Sequence, residues 1–182
     1  MQHHNVVVVG AGPAGIAASK ALSTSGLDVL LLDKTPSSRD KGCGGCLTPR
    51  SIKLLHKLFP NFKYPKKIIN IIEFGYIKNE SFKPLHRISI KKKFHTVNRA
   101  VFDDLLLKEA KKYGVKCLAD KVKSITVKDN LFYIKGNEII SAEYIIVACG
   151  VFGPKLLNIS DISFEVPKFS IIYHTSKEPS DN

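Results

Sequence analysis

Three glycines near the start of the chain have the spacing of a phosphate-binding turn. They are Gly10, Gly12 and Gly15, in the order Gly-x-Gly-x-x-Gly. In such a turn the first glycine permits a tight bend, the second lets a pyrophosphate approach the backbone, and the third lets a helix pack closely on a strand. The helix that begins at Pro13 and Ala14 offers the free N–H groups of its first turn and the positive end of its dipole to the phosphates. The spacing therefore predicts a dinucleotide site.

Asp33 supplies a second part of the same signature. It directly follows the apolar run from Val29 to Leu32 and lies roughly 20 residues after Gly15, where an acidic side chain can accept hydrogen bonds from a ribose diol. We include its neighbour Lys34 among the predicted cofactor-binding residues. The alternative is that the glycines serve only the turn and that Asp33 caps a loop.

The residues around the glycines predict the elements that would position them. Four consecutive valines, Val6 to Val9, favour a strand buried on both faces. A helix is predicted over Ile16 to Ser25, and Gly26 is suited to end it. A strand, a glycine-rich turn, a helix and a second strand together predict a Rossmann-like unit.

Two cysteines with Cys-x-x-Cys spacing lie in the polar, glycine-rich loop that follows. Cys43 and Cys46 alone would permit a redox dithiol or half of a zinc site. We predict no metal site, because Cys117 and Cys149 belong to separate apolar strands. The helix start that could lower the pKa of a thiol follows Thr48 rather than Cys43. We therefore interpret Cys46 as a small residue in a tight loop, with the dithiol as the alternative.

The middle of the chain has a different pattern of apolar residues from the flanking parts. Residues 67–74 and 86–90 are β-branched runs that alternate in part, which predicts antiparallel strands. After them Asn98 caps a predicted helix over Arg99 to Tyr113, and Gly114 ends it. Apolar strand candidates complete the pattern: 115–118, a three-run meander at 122–127, 131–135 and 138–141, and 144–150, which ends at Gly150.

These elements predict an α/β fold: a Rossmann-like dinucleotide-binding domain with a parallel sheet, a β-meander and a small antiparallel β excursion. We assign residues 1–62 and 97–160 to the nucleotide-binding domain and residues 63–96 to the excursion, at the start of a substrate-side region. Residues 161–182 are interpreted as a truncated continuation.

The composition narrows the class of protein. The chain is 44% hydrophobic and 24% charged, as soluble globular proteins are. Its net charge is +12 with 28 basic residues, of which only four are Arg, and this disfavours sequence-specific nucleic-acid binding. We expect a lysine-rich solvated surface, the alternative being attraction to phosphates of a lipid surface or a nucleotide. No basic segment precedes the first apolar run, so we expect a cytoplasmic protein with reduced thiols, with peripheral membrane contact as a further option.

Five segments together resemble the amino-terminal half of the geranylgeranyl reductase family, whose members have the para-hydroxybenzoate hydroxylase fold. The resemblance covers about residues 4 to 155, and the Cys-Gly-Gly-x-Leu-(Ser/Thr)-Pro-Arg run is its most specific part. It implies FAD as the cofactor and saturation of isoprenoid C=C bonds in lipids or pigment precursors. The segments are GAGPAG, Asp33, KGCGGCLTPRSIKLL, VNRAVFDDLLLKEA and YIIVACG.

The resemblance also implies roles for individual residues. The glycine turn would face the FAD pyrophosphate, Asp33 the ribose, and the 44–47 loop the isoalloxazine. Arg99 would contact phosphate or ribityl oxygens, unless it pairs with Asp103 instead. Cys43 is the candidate catalytic residue. The predicted cofactor-binding set is Gly10, Gly12, Pro13, Ala14, Gly15, Asp33, Lys34, Cys43, Gly44, Gly45, Leu47, Arg99 and Gly150.

Two departures from the family pattern limit the resemblance. Cys149-Gly150 stands where hydroxylase relatives carry Asp-Gly, so a carboxylate contact to phosphate is not expected there. The family's second FAD motif and most of its substrate cavity come after the position of Asn182. We expect an FAD-dependent reductase with a prenyl-chain substrate, an external electron donor and a missing carboxyl-terminal half. The alternatives are a flavin monooxygenase of the same fold and a truncated or split nucleotide-binding module.

Overall fold

The computed structural model describes residues 1–36, 43–150 and 153–156. The continuation that the sequence assigns to residues 161–182 lies outside the described residues. The elements in chain order are β1 (Gln2–Val9), α1 (Pro13–Ser23), β2 (Val29–Asp33), β3 (Cys46–Leu47), α2 (Pro49–Leu58), β4 (Lys67–Lys78), β5 (Ser81–Thr96), α3 (Arg99–Lys111), β6 (Lys116–Ala119), β7 (Ser124–Lys128), β8 (Leu131–Lys135), β9 (Ile139–Val147) and α4 (Gly153–Leu156).

The larger of two sheets has six strands in the order β6-β2-β1-β9-β8-β7. Strands β6, β2, β1 and β9 run parallel to one another, and β7, β8 and β9 form an antiparallel meander. The predicted α/β class, with its parallel sheet and meander, is confirmed. Strand β1 lies between β2 and β9, so the carboxyl end of β1 is a topological switch point, where open α/β sheets bind ligands.

The four valines of β1 are buried because both faces of the sheet are covered. Val6 and Val8 belong to the apolar cluster that includes Ile16 of α1 and Leu106 of α3. Val7 and Val9 face the opposite cluster, together with the meander residues. Since successive side chains of a strand point to opposite faces, an unbroken β-branched run is what a doubly covered strand requires.

Strand β9 differs from the sequence prediction. Residues 138–141 and 144–150 were expected to form separate strands, but Ile139–Val147 is one continuous strand. Its first part pairs antiparallel with β8, and the whole strand runs parallel to β1. The residues between the two runs, Ala142 and Glu143, include no Gly or Pro, so nothing in the backbone interrupts the extended conformation.

The excursion forms a smaller sheet of three strands in the order β3-β5-β4. Strands β4 and β5 make a long hairpin whose turn residues Asn79 and Glu80 have positive φ angles of 50° and 61°. At the other end of the hairpin, β3 pairs Cys46 with Thr96 and Leu47 with His95. The hairpin thus fixes the segment that carries the cysteine pair. Within the described ranges, none of the helices is both long and apolar enough to cross a bilayer.

Replacement of Gly10 by Ala should destabilise the fold strongly. Gly10 has a φ of +108°, and an added Cβ would lie 2.7 Å from the carbonyl oxygen of Ala148. We expect Gly10→Ala to lower the free energy of unfolding by about 2–4 kcal/mol, measured by urea denaturation. The control is Gly26→Ala, which also has a positive φ, of +85°, but open space around the added Cβ. That variant should lose only about 1 kcal/mol, and equal losses would contradict a role for the Ala148 contact.

Candidate functional site

The turn after β1 leaves the amino end of α1 open. Gly12 is the N-cap, and within the described residues no side chain caps this helix and no acidic residue lies in its first turn. A Cβ built on Gly12 meets no atom within 4 Å. The first N–H groups of a helix and the positive end of its dipole favour an anion. The open space beside Gly12 therefore fits a phosphate group.

Close packing around Gly15 and Gly10 fixes the position of this turn. A Cβ on Gly15 would overlap the carbonyl oxygen of Gly10, so only glycine allows the helix to approach the turn this closely. The Gly10 N–H donates to the Leu32 carbonyl at 2.7 Å, and the Ala148 N–H donates to the Val9 carbonyl at 2.7 Å. The carboxyl ends of β1, β2 and β9 are thereby held together.

Asp33 connects the end of β2 to the glycine turn. Asp33 is 6% exposed, and its Oδ2 accepts a hydrogen bond from the Ala11 N–H at 2.6 Å. Its Oδ1 accepts from the Thr35 N–H at 2.9 Å. A carboxylate has about four acceptor positions, so these bonds are compatible with a ribose hydroxyl as a further donor. The sequence analysis missed Ala11, whose place between Gly10 and Gly12 was the available signal.

A neutral thiol lies where β9 ends. Burial raises the pKa of the Cys149 thiol, a backbone hydrogen bond lowers it, and the negative charge of Asp33 raises it further. The thiol therefore stays protonated near neutral pH. Gly150 follows with a φ of +66° and open space at its Cβ position. Position 149 thus carries a neutral thiol rather than a carboxylate, which suits a phosphate-bearing ligand.

The loop of the Cys-x-x-Cys pair is held against the segment that precedes α3. Gly45 has a φ of +66°, and an added Cβ would overlap the Val97 carbonyl oxygen. The Val97 N–H donates to the Gly45 carbonyl at 3.0 Å, and the Gly45 N–H donates to the Cys43 sulfur at 3.4 Å. Residue 45 must therefore be glycine, because the Val97 carbonyl leaves no room for a side chain. Gly44, by contrast, is exposed and has open space around its Cβ position.

Arg99, the first residue of α3, forms a two-point ion pair. Its Nε donates to Oδ1 of Asp103 at 3.0 Å, and its Nη2 donates to Oδ2 at 2.8 Å. The pKa of Arg99 is raised chiefly by this hydrogen bonding to Asp103, with a smaller contribution from a hydrogen bond to Cys43. The alternative pairing that the sequence left open is therefore present, and the guanidinium also lies beside Cys43.

The predicted site residues fall into two groups. The glycine turn, Asp33 and Gly150 lie at the carboxyl edge of the larger sheet, while Cys43 and Gly45 are hydrogen-bonded to each other beside Val97, in the segment that leads to Arg99. The exposed residues are Ala14, Lys34, Gly44, Cys46 and Gly150, and Pro13 is half-buried. Leu47 is half-buried, and its side chain packs against the apolar core.

The described cysteines are not in disulfide bonds. Within the parts of the chain that the structure describes, no group of three or more His, Cys, Asp or Glu side chains could hold a metal ion. The chemistry available in the described site is therefore that of backbone N–H groups, the buried carboxylates of Asp33 and Asp103, the Arg99 guanidinium and thiols.

The family model of the pyridine nucleotide-disulphide oxidoreductases matches residues 4–179. The chain belongs to this family. It is 37% identical over 156 residues to an uncharacterized protein of Methanosarcina barkeri, covering 84% of this chain and 39% of that protein. It is also 31% identical over 144 residues to the digeranylgeranylglycerophospholipid reductase of Methanocaldococcus jannaschii, covering 79% of this chain and 35% of that one.

A solved structure extends the comparison to the fold. The halogenase PltM, in complex with phloroglucinol and FAD, superposes with a TM-score of 0.67 at 24% identity, covering 80% of this chain and 34% of that chain. This member of the pyridine nucleotide-disulphide oxidoreductase family thus spans little more than a third of the length of its first relatives. The findings support an FAD-dependent oxidoreductase family, and with it the cofactor that the sequence predicted.

His95 should make the stability of this family member depend on pH. It is buried and hydrogen-bonded through Nδ1 to the Tyr64 hydroxyl at 2.8 Å. Burial lowers its pKa, and the charges of Lys66, His56 and Lys93 lower it further. Because the folded state then binds fewer protons than the unfolded state, stability is lost as the pH falls below the ordinary value of 6.5.

We expect His95→Gln to reduce the loss of unfolding free energy between neutral and mildly acidic pH, measured by urea denaturation at each pH. The control is His86→Gln, on the exposed hairpin, which should keep the wild-type pH dependence. If His95→Gln kept the wild-type dependence of unfolding free energy on pH, another titratable group would be responsible for that dependence.

Proposed function

We propose that this chain binds FAD and belongs to a reductase that saturates isoprenoid C=C bonds of lipid or pigment precursors. The observation that carries the FAD assignment is the open amino end of α1 beside the buried Asp33 carboxylate. The choice of reductase is supported by the similarity to the digeranylgeranylglycerophospholipid reductase and by the Cys-Gly-Gly run in the loop.

The adenosine half of FAD is matched by groups that are already in place. The N–H groups of the first turn of α1 would bind the pyrophosphate, with Gly12 leaving the room that it needs. Asp33 would accept a hydrogen bond from a ribose hydroxyl while keeping its bond to the Ala11 N–H. The hydrogen bonds that hold this turn would position these groups before the cofactor arrives, so binding would require little rearrangement.

The flavin half would lie along the loop that contains Cys43. Gly44, which is exposed and has open space at its Cβ position, would let the ring approach the backbone. Arg99 would contact phosphate or ribityl oxygens with the donors that Asp103 does not use. FAD supplies hydride-transfer chemistry when bound. The chain would bind and orient the cofactor and place the Cys43 thiol beside the reacting region.

A second candidate follows from the length of the relatives. Because the chain spans 39% of its first relative, it would serve as a nucleotide-binding module that a further polypeptide completes. The prenyl substrate, the external electron donor and any peripheral contact with a lipid surface would then depend on that second part. A flavin monooxygenase of the same fold is the third candidate function.

The test supplies the purified chain with FAD, a chemical reductant and a prenyl lipid under anaerobic conditions, and measures saturation by mass spectrometry. A gain of two hydrogens per double bond would support the reductase. In a separate aerobic assay with NAD(P)H in place of the chemical reductant, oxygen consumption would favour the monooxygenase. Flavin binding without either reaction would support the module, and failure to bind FAD would overturn all three.

Gly12→Val should abolish FAD binding while the chain still folds. The added branches would occupy the space meant for the pyrophosphate, and they meet no protein atom within 4 Å of the added Cβ. Binding is measured by quenching of flavin fluorescence, and folding by circular dichroism. Gly12→Ala is the graded control, since one methyl group should weaken binding less. Loss of the fold in Gly12→Val would mean that the glycine is structural.

The two neighbouring cysteines should differ in turnover. Cys43 is half-buried and lies beside Arg99, whereas Cys46 is exposed on β3. We expect Cys43→Ser to reduce prenyl saturation by the completed enzyme and Cys46→Ser to leave it close to wild type. Equal losses in the two variants would instead support a redox dithiol.

A further inference from the structure

Exposed apolar side chains concentrate on the hairpin of β4 and β5. Half of the large apolar residues that are exposed in the described part of the chain lie on these two strands. Neither apolar cluster of the described core includes a residue between positions 67 and 94. Apolar surface of this kind marks a contact with another molecule or surface. The residues are Ile68, Ile71, Phe74, Tyr76, Ile77, Phe82, Leu85 and Ile88.

The tip of the hairpin, residues 74–85, is apolar on both faces. Ile77 lies opposite Phe82, and the next pair is Tyr76 with Lys83. Because opposite residues share a face and successive residues alternate, Ile77 and Phe82 lie on one face and Tyr76 on the other. Ile77 is 78% exposed, Phe82 50% and Tyr76 49%. A folded protein that docked here would cover one face of the tip, whereas a fluid layer can surround both.

The tip also lies far from the core. Ile77 is eight residues beyond the half-buried Ile69, which is roughly 25 Å along an extended strand. A register shift after Phe74 leaves Leu85 without a cross-strand partner, and Leu85 is 73% exposed. Projection of this length lets the tip enter a surface while the rest of the chain stays outside it.

Positive charge surrounds the apolar tip. Residues 67–96 include seven Lys and Arg but only two Glu. Arg87 pairs with one of these Glu at 3.3 Å. Within the described residues, no ion pair joins a carboxylate to Lys78, Lys83 or the lysines at 91–93. Ammonium groups beside exposed apolar side chains suit an anionic lipid surface, because the long lysine stems keep their charge at the headgroups while neighbouring residues enter the acyl boundary.

We propose that the β4–β5 hairpin binds the surface of an anionic lipid membrane, with its lysines at the headgroups and with Ile77 and Phe82 at the start of the acyl region. At the tip, the outer edges of both strands lack a strand partner among the described residues. Unpaired backbone groups are costly in hydrocarbon, so the hairpin lies in the interface and does not cross the membrane. The module candidate leaves contact with a lipid surface to a further polypeptide, whereas this proposal places that contact on the present chain.

The contact would also serve the proposed reductase, and this consequence alone rests on the proposed function. Strand β5 pairs with β3, which carries Cys46 of the cysteine loop. The hairpin would thus connect that loop to the membrane from which a prenyl lipid would be drawn. Binding to vesicles needs neither flavin nor turnover, so a chain that binds vesicles but not FAD would overturn only the proposed function.

The sequence contains no Trp, so one introduced indole reports on its own position. Phe82→Trp places it at the tip. Val127→Trp is the matched control, because Val127 is also an exposed strand residue beside a hairpin turn. Each variant is mixed, without flavin, with vesicles of phosphatidylglycerol and phosphatidylcholine whose acyl chains carry bromine. We expect a blue shift and bromine quenching of the Phe82→Trp emission, both reduced by added salt, and an unchanged Val127→Trp emission.

Cosedimentation with the same vesicles, without bromine, separates the apolar and the charged parts of the interaction. The paired change Ile77→Ser with Phe82→Ser should lower the partition coefficient by about tenfold or more. Replacement of the three lysines at 91–93 by Gln should lower it by roughly tenfold. The charge control removes three lysines from the region of the meander instead and should change it by less than about twofold. These control positions are Lys121, Lys123 and Lys128.

Three results would overturn the proposal. One is the absence of quenching of the Phe82→Trp emission by the anionic vesicles. Another is an equal loss of binding in the two lysine triples, which would mean attraction by net charge alone. The third is a blue shift without vesicles that grows with protein concentration, which would mean that the tip joins two copies of the chain. If circular dichroism shows that the double serine change disturbs the fold, quenching of Phe82→Trp decides the question.

Discussion

The hydrogen bond from the Ala11 N–H to the Asp33 carboxylate joins the two parts of the nucleotide site. At 2.6 Å it connects the turn after β1 to the end of β2. The bond is buried, so loss of either partner would leave an unsatisfied polar group. It also places a buried carboxylate of this edge beside the open amino end of α1. A carboxylate acceptor and the N–H donors of the helix start are therefore held side by side, as the proposed nucleotide site requires.

Burial of β1 on both faces makes this arrangement possible. The alternating side chains of Val6 to Val9 are shared between the two apolar clusters, which fixes the register of β1 against β2 and β9. Because those three strands are parallel, their carboxyl ends meet at one edge, and the chain leaves β1 at the point where the strand order reverses. The position of the site thus follows from packing of the sheet.

The sequence predicted the features that depend on local spacing. The glycine turn, Asp33 at a strand end and the meander could be predicted because each has a short sequence signature. Contacts between distant segments could not. The Val97 carbonyl leaves room only for glycine at position 45. Arg99 makes two hydrogen bonds to Asp103, and Cys43 contributes to its pKa. Both features depend on how the loop packs against α3. Residue spacing allowed Arg99 to bind either a phosphate or Asp103, and only the folded geometry showed the ion pair.

The measurement that tests this account most directly is a titration of the ¹⁵N-labelled chain with ADP, followed by NMR of the backbone amides. ADP carries the adenosine, ribose and pyrophosphate groups, but no flavin ring. We predict saturable shifts for the amides of Ala11, Gly12, Ala14 and Gly15 and for that of Thr35, with the hairpin amides unaffected. Shifts confined to the lysine-rich hairpin, or none at the glycine turn, would contradict the assignment of this turn as the site of the cofactor pyrophosphate.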